Sequence, residues 1–292
     1  MSVIENSIKK LRGVTAASTE RGATAAGAPP AAASPEPTSP LEPRCLHKRI
    51  GVDFVALRAE GYLPEEGQER RFAEYCHRIK RPLVDRALAG GAEEVRLILL
   101  SSALPGDGKT FIALNLALSM ARERDISVLL IDADLARAQI TRVLGMAHEP
   151  GLLQALQDTR VEVESLVVDT DVANLQVLPA GRPLDGAAEL IASARMREIA
   201  ARLVGRDPRR LVLFDSPPLL ISSEARALAP IAGQIVLIAR AARTPQRAIV
   251  DALAQIDKTK LRGLVLNDGH TGNEHGHYDY YGPGDAVSKP AR

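Results

Sequence analysis

The stretch Val95-Arg96-Leu97-Ile98-Leu99-Leu100-Ser101-Ser102-Ala103-Leu104-Pro105-Gly106-Asp107-Gly108-Lys109-Thr110 decides how this 292-residue chain folds. An apolar run, typical of a buried strand, leads into a glycine-rich turn, and a helical pattern follows from Phe111 to Glu123. Glycines let the backbone close around an anion, so that its N–H groups point inward. Strand, turn and helix in this order predict a phosphate-binding loop.

The loop pattern also assigns expected roles to side chains. Lys109 is expected to neutralise the β- and γ-phosphates of a nucleotide, and the Thr110 hydroxyl to bind Mg²⁺. The N-terminus of the following helix adds partial positive charge. The predicted nucleotide-binding residues are Pro105, Gly106, Asp107, Gly108, Lys109 and Thr110.

Acidic residues follow two further apolar runs. Ser127–Ile131 leads into Asp132 and Asp134, and Arg210–Phe214 leads into Asp215. The carboxyl ends of parallel strands meet where ligands bind in an open α/β sheet. Mg²⁺ prefers oxygen ligands and keeps several waters, so a few carboxylates suffice. The three residues are therefore predicted to serve a metal or catalysis, the alternative being that they only cap helices or end strands.

Composition limits the classes of function. The chain is 46% hydrophobic and 3% aromatic, so a large core must consist of aliphatic side chains. A net charge of +1 gives no electrostatic case for binding nucleic acid. Cys45 and Cys76 fit no metal-binding spacing, which favours a reduced, cytoplasmic chain. No apolar stretch approaches the roughly 18 residues that span a bilayer.

The chain divides into four predicted segments. Residues 1–12 form a short amphipathic pattern, 13–48 a disordered linker rich in Ala and Pro, 49–268 the folded domain, and 269–292 a flexible tail. Strands are predicted at 95–101, 127–132, 175–179, 210–215, 234–239 and 261–266. Helices are predicted at 109–124, 151–157, 187–206, 222–229 and 245–257, and a helix interrupted or bent near Pro82 at 69–88. This alternation predicts an α/β fold with a mostly parallel sheet covered by helices on both faces.

Three of the five tyrosines, Tyr278, Tyr280 and Tyr281, lie in the tail. Tyrosine normally buries its ring in a core or an interface, yet this tail has almost no apolar neighbours. The cluster is therefore predicted to be modified by phosphorylation, which adds close to two negative charges per residue. An accident of composition in a disordered tail is the alternative.

These segments together resemble the bacterial tyrosine kinases, and within them the exosortase-associated tyrosine autokinases. The resemblance runs from the first residues to the tail and is weakest in the linker. Its segments are Met1–Glu5, Arg78–Leu83, Leu104–Thr110, Leu130–Arg137, Leu178–Gly181, Phe214–Pro218 and the tail with its tyrosines. The resemblance implies a P-loop NTPase-type fold, with ATP and Mg²⁺ as cofactors.

One position separates this family from its relatives. Partitioning ATPases of the ParA/MinD type carry a second lysine five residues before the loop lysine, where this chain has Leu104. The kinases instead use a loop of the type found at Pro105–Gly108. This loop and the tyrosine tail favour a kinase over a nucleotide-switched assembly ATPase, which stays the alternative.

The resemblance also implies roles for single residues. Lys109 would bind the phosphates, Thr110 the Mg²⁺, and Asp134 and Asp215 would help to place the metal. Asp132 would accept the proton of the tyrosine hydroxyl, although Asp132 and Asp134 could exchange these tasks. Phosphoryl transfer depends mostly on positioning and charge stabilisation, which these residues can supply.

A family motif for ring assembly, Glu-x-x-Arg-x-x-Arg, finds its best match at Glu74, His77 and Lys80. The three residues are spaced three apart, which predicts one helix face. Lysine does not reproduce the guanidinium fork of arginine, so a homo-oligomer is expected with an imperfect motif. A solvated charged face is the alternative.

The resemblance implies an ATP-dependent tyrosine autokinase that regulates synthesis or export of an extracellular polysaccharide. The implied partner is a membrane-anchored protein of the polysaccharide co-polymerase type. That partner would hold the cytoplasmic kinase at the inner face of the plasma membrane.

Overall fold

The computed structural model describes residues 48–182 and 186–269, which form a sheet of eight strands within these ranges. The strands are β1 (Arg49–Ile50), β2 (Leu97–Ser102), β3 (Ser127–Asp132), β4 (Val168–Thr170), β5 (Leu175–Leu178), β6 (Arg210–Asp215), β7 (Gln234–Arg240) and β8 (Leu261–Asn267). Their order across the sheet is β1-β4-β5-β3-β6-β2-β7-β8, and every pair is parallel except β4 with β5. The six predicted strands are confirmed, with ends that differ by one or two residues.

Helices cover both faces of the sheet. They are α1 (Phe54–Ala59), α2 (Glu69–Leu88), α3 (Lys109–Met120), α4 (Gln139–Val143), α5 (Leu152–Gln157), α6 (Ala187–Ala192), α7 (Ala194–Gly205), α8 (Ser223–Leu228) and α9 (Gln246–Leu253). The side chains of the central strands alternate between two apolar clusters, so β2 sends Leu99 to one face and Leu100 to the other. The predicted fold class, a mostly parallel sheet between two helical layers, is confirmed.

The structure differs from the predicted helices at two places. The segment predicted as one helix over 187–206 is two helices, because the backbone at Ser193 is extended (φ −73°, ψ 165°). Pro82 does not interrupt α2, which runs unbroken from Glu69 to Leu88. Proline removes one backbone donor, and here it lies on the exposed side of the helix, where water can satisfy the freed carbonyl.

Several predictions fall on other parts of the chain. The amphipathic segment at 1–12, most of the linker at 13–48 and the tail after Gly269 lie outside the described residues. The four segment boundaries therefore stay predictions. Among the residues that the structure describes, no helix is both long enough and apolar enough to cross a membrane.

Candidate active site

The phosphate loop lies between β2 and α3, at the carboxyl edge of the sheet. Gly106 and Gly108 have φ values of 84° and 91°, a backbone conformation that favours glycine. A Cβ atom on Gly108 would lie 2.0 Å from Nδ2 of Asn267, so the close approach also requires glycine there. Tight backbone turns of this kind allow N–H groups to surround a phosphate.

The carboxylate of Asp107 ties the phosphate loop to its surroundings. The backbone N–H of Leu104 donates to Oδ2 of Asp107 over 3.1 Å, and the Thr244 hydroxyl donates to Oδ1 over 2.6 Å. The side-chain amide of Asn267 donates to the carbonyl of Asp107 over 3.0 Å. Thr244 follows β7 and Asn267 ends β8, so residues at the ends of these two strands hold the loop.

Lys109 and Thr110 begin α3 and turn inward. The Lys109 ammonium lies 3.0 Å from Oδ2 of Asp134, and both side chains are buried. The Thr110 hydroxyl donates a hydrogen bond to Oε1 of Gln139 over 3.1 Å. The loop lysine therefore forms an ion pair with one of the predicted acidic residues.

Asp132 and Asp215 end neighbouring strands and are partners in the register of β3 and β6. Oδ2 of Asp132 accepts two hydrogen bonds from Thr141, one from its N–H over 2.8 Å and one from its hydroxyl over 2.7 Å. The N–H of Ala180 in turn donates to the Thr141 hydroxyl over 2.9 Å. One oxygen of Asp132 is thus fixed by α4 and by the turn after β5.

Burial dominates the protonation of these carboxyls. It raises the pKa of Asp132 to about 6, an effect that the Thr141 hydrogen bonds reduce and the charge of Asp134 adds to. Burial also raises the pKa of Asp215 to about 8, against the opposing charge of Lys109 and the nearby Thr110 hydroxyl. Both carboxyls hold their protons more tightly than they would in water.

At this site, four buried carboxylate oxygens accept no hydrogen bond from the described part of the chain. They are Oδ1 of Asp132, Oδ2 of Asp134, which Lys109 faces only as an ion pair, and both oxygens of Asp215. Buried polar atoms are normally satisfied, and oxygens without donors suit a hard divalent cation. The arrangement therefore fits Mg²⁺, with the Thr110 hydroxyl close enough to Asp215 to affect its pKa.

The predicted oligomerisation residues do not share one environment. Glu74 and His77 are exposed on α2. Lys80, in contrast, is buried: its ammonium lies 2.7 Å from Oε1 of Glu123 and donates to the carbonyl of Ser119 over 3.0 Å. Lys80 is therefore turned toward α3, while Glu74 and His77 face outward, and the assignment of the three residues to oligomerisation stays a prediction.

The predicted tyrosine acceptors, Tyr278, Tyr280 and Tyr281, lie outside the described residues. Two other tyrosines are described. Tyr62 is partly buried, and burial raises its pKa. Tyr75 is exposed on α2, where its hydroxyl oxygen accepts a hydrogen bond from Nε of Arg71 over 3.0 Å.

Sequence reasoning missed four residues of this site: Gln139, Thr141, Thr244 and Asn267. Only Asn267 carried a usable signal, because it directly follows a predicted strand at the ligand-binding edge of the sheet. The others carry no such signal, and Thr244 meets Asp107 across 137 positions of sequence. Such long-range pairing has no local pattern.

Comparison with known proteins places this site in a family. A family model described as an AAA domain matches residues 95–262. The tyrosine-protein kinase YwqD of Bacillus subtilis is 32% identical over 195 residues, which cover 66% of this chain and 80% of YwqD. ExoP of Rhizobium meliloti, a succinoglycan biosynthesis transport protein, is 33% identical over 76% of this chain and 28% of its own length.

Solved structures agree with this placement. The tyrosine kinase domain of BceF is 27% identical, with a TM-score of 0.60 over 74% of this chain and 86% of that domain. The fold and the site define a P-loop protein with an AAA domain. The chain belongs to the bacterial tyrosine-protein kinases, so the kinase prediction is confirmed over the partitioning ATPase. It spans only about a quarter of the longer relatives.

Proposed function

We propose that this chain is an ATP-dependent tyrosine autokinase that phosphorylates tyrosines of its own C-terminal tail. The observation that carries the proposal is the meeting of three groups at one edge of the sheet. These are the glycine-rich loop, the buried ion pair between Lys109 and Asp134, and the adjacent carboxyls of Asp132 and Asp215. Phosphoryl transfer needs such a combination of phosphate binding, charge stabilisation and a proton acceptor.

The proposed chemistry is a single displacement at phosphorus. The tyrosine oxygen forms a bond to the γ-phosphorus of ATP, the bond to the β–γ bridging oxygen breaks, and ADP leaves. Asp132 accepts the hydroxyl proton, because one of its oxygens is held by Thr141 and the other is free of protein donors. Lys109 shifts from Asp134 toward the β- and γ-phosphates when they bind.

The proposed metal site is formed by Thr110, Asp134 and Asp215. Mg²⁺ supplies neutralising charge on the phosphate oxygens when it is bound. No cluster of three His, Cys, Asp or Glu side chains with metal-binding geometry occurs in the described ranges. With these residues holding the ion, phosphate oxygens and waters would supply the other ligands, as is usual for this ion at nucleotide sites.

The proposed acceptors are Tyr278, Tyr280 and Tyr281. Tyr278 follows the last described residue, Gly269, by nine positions, which span at most about 30 Å when extended. This reach allows delivery to the site of a neighbouring copy once copies are held together. Glu74 and His77, exposed on α2, are the candidate residues for a contact between copies.

The proposed process is synthesis or export of an extracellular polysaccharide. Its support is the likeness to ExoP, whose name describes succinoglycan biosynthesis and transport. A membrane-anchored polysaccharide co-polymerase would then hold this kinase at the inner face of the plasma membrane. Pull-down of such a protein by the purified chain, dependent on Mg·ATP, is the corresponding check.

The acceptor assignment is tested by replacing all three tail tyrosines with Phe and mapping phosphopeptides of the parent. The triple variant should lose nearly all phosphotyrosine and keep its affinity for Mg·ATP. Tyr62→Phe and Tyr75→Phe serve as matched controls and should be phosphorylated as the parent is. Phosphate on Tyr62 or Tyr75, or full labelling of the triple variant, would overturn the assignment.

A further inference from the structure

A cavity of about 500 Å³ opens beside Asp132 and has no role so far. Its walls come from residues 135–138, from α4 with the residues just after it, and from Gly181. Thr141 belongs to this wall and also donates both hydrogen bonds to Asp132. The cavity and the proposed base are therefore separated by one side chain.

Apart from two arginines and Leu135, the side chains that line this cavity are small. Ala136, Ala138 and Ala147 leave space, whereas Arg137 and Arg142 are long, charged and exposed. A tight turn sets this arrangement. The N–H groups of residues 137 and 138 both donate to the carbonyl of Asp134, and Ala138 has a φ of 45°. The turn fixes Arg137 at the cavity mouth, just before α4 begins.

Neither arginine forms an ion pair with a described carboxylate. Other arginines of the domain do: Arg58 pairs with Glu69 and Arg210 with Glu164. The nearby acid Glu149 pairs with Lys48 instead. Two guanidinium groups at the mouth of one cavity, neither with a described carboxylate partner, have the chemistry to bind a carboxylate in a forked geometry.

We propose that Arg137 and Arg142 bind acidic side chains that flank the acceptor tyrosine, so that this cavity selects tyrosines in acidic sequence. The inference rests on the proposed function and names the substrate preference of its site. The tail offers the matching chemistry, because Asp279 lies between Tyr278 and Tyr280. With the acidic neighbour held at the cavity mouth, the adjacent tyrosine lies beside Asp132.

The alternative ligand for these arginines is the nucleotide, whose phosphates are also anionic. The lining of the cavity argues against it, since all of its residues come from segments after β3 and β5 and none from the phosphate loop. If the arginines bind the acceptor peptide, their loss should raise the KM for the peptide. If they bind the nucleotide, their loss should raise the KM for Mg·ATP. A kinetic test therefore separates them.

The test uses the full chain with its three tail tyrosines changed to Phe, and a synthetic peptide of residues 274–285 as acceptor. In this background, changing both Arg137→Gln and Arg142→Gln should raise the KM for the peptide at least tenfold. The KM for Mg·ATP should change less than twofold. Arg247→Gln is the matched control, because that side chain is 93% exposed on α9; it should match the parent.

A second peptide, with Asp279→Asn, sharpens the test. The parent should bind this peptide several-fold more weakly than the unchanged peptide. The double variant should bind both peptides equally, since the arginines that contact Asp279 are already gone. A variant with Arg142→Lys in place of Arg142→Gln should recover part of the affinity for the peptide. The difference in affinity between the parent and the double variant should shrink at high salt. An unchanged peptide KM, or a rise in the KM for Mg·ATP alone, would overturn the inference.

Binding of the same peptide, labelled and followed by fluorescence anisotropy without ATP, separates this inference from the proposed function. A parent that binds the peptide through the two arginines but never phosphorylates it would contradict the kinase proposal and support the cavity. A parent that phosphorylates the peptide while the double variant binds it equally well would contradict the cavity alone.

Discussion

The phosphate loop and the acidic strand ends lie at the same edge of the sheet, yet their buried carboxylates differ in the hydrogen bonds that they accept. The loop carboxylate of Asp107 accepts hydrogen bonds on both oxygens, from Leu104 and Thr244. Asp215 accepts none of good geometry within the described residues, and burial raises its pKa to about 8. The loop carboxylate finds its hydrogen-bond donors within the protein, whereas the carboxylate at the strand end is left to bind a ligand.

This difference separates the two tasks of the site. A loop held by β7 and β8 keeps its shape before a nucleotide arrives, so little ordering is needed on binding. Buried carboxylates without protein donors are costly in the folded state. That cost is offset when a cation and phosphates bind, which is the usual exchange of stability for function at such sites.

The largest expected effect comes from the acidic region. Asp132→Asn and Asp215→Asn should each lower the rate of phosphotyrosine formation by about 10²–10⁴, as expected for loss of a base or a metal-positioning group. Affinity for Mg·ATP, measured by calorimetry, should fall more for Asp215→Asn. Asp125→Asn, on an exposed turn before β3, is the control. Equal loss of affinity in both variants would contradict the division of roles.

Removing the charge of Asp215 should stabilise the folded, nucleotide-free protein. The folded pKa of Asp215, about 8, exceeds the ordinary value of 3.8. The stabilisation from its proton is complete below pH 3.8 and is lost as the pH rises through about 8. Asp215→Asn should therefore raise the Tm of the nucleotide-free protein by several degrees at pH 8. The difference in Tm between the variant and the parent should narrow toward pH 5, which scanning calorimetry at pH 5 and pH 8 would show. A variant that is less stable than the parent at pH 8 would refute the prediction.

A smaller effect is expected in the loop region, where Thr244→Val removes one hydroxyl. That hydroxyl donates to Asp107 and accepts from the N–H of Arg240 over 2.8 Å. Its loss leaves a buried carboxylate underpaired, at a cost of about 1–3 kcal/mol. The KM for Mg·ATP should rise about tenfold, and Thr244→Ser should restore it. Equal KM values in the parent and Thr244→Val would show that the loop keeps its shape without this contact.

The same contrast explains how much could be predicted from sequence. The six long strands and the phosphate loop were predictable, because buried apolar runs and glycine turns are local patterns. The acidic residues followed from the rule for strand ends in open sheets. β1 and β4 were not predicted, since two or three residues carry no period.

The polar contacts that complete the loop could not be predicted. Asn267 reaches Asp107 across 160 positions and Thr244 reaches it across 137. Thr141 meets Asp132 after a turn in which Ala138 adopts a left-handed conformation before α4. Helix spacing alone could not show that packing of α2 against α3 buries Lys80.

The central claim is that the loop and the acidic strand ends together transfer phosphate to tyrosine. Intact mass of the full chain after incubation with Mg·ATP tests it most directly, with Lys109→Ala measured beside the parent. The parent should gain mass in steps of one phosphate, and Lys109→Ala should stay unmodified while its circular dichroism matches the parent. A parent that hydrolyses ATP without gaining phosphate, or an equally modified Lys109→Ala, would contradict the account.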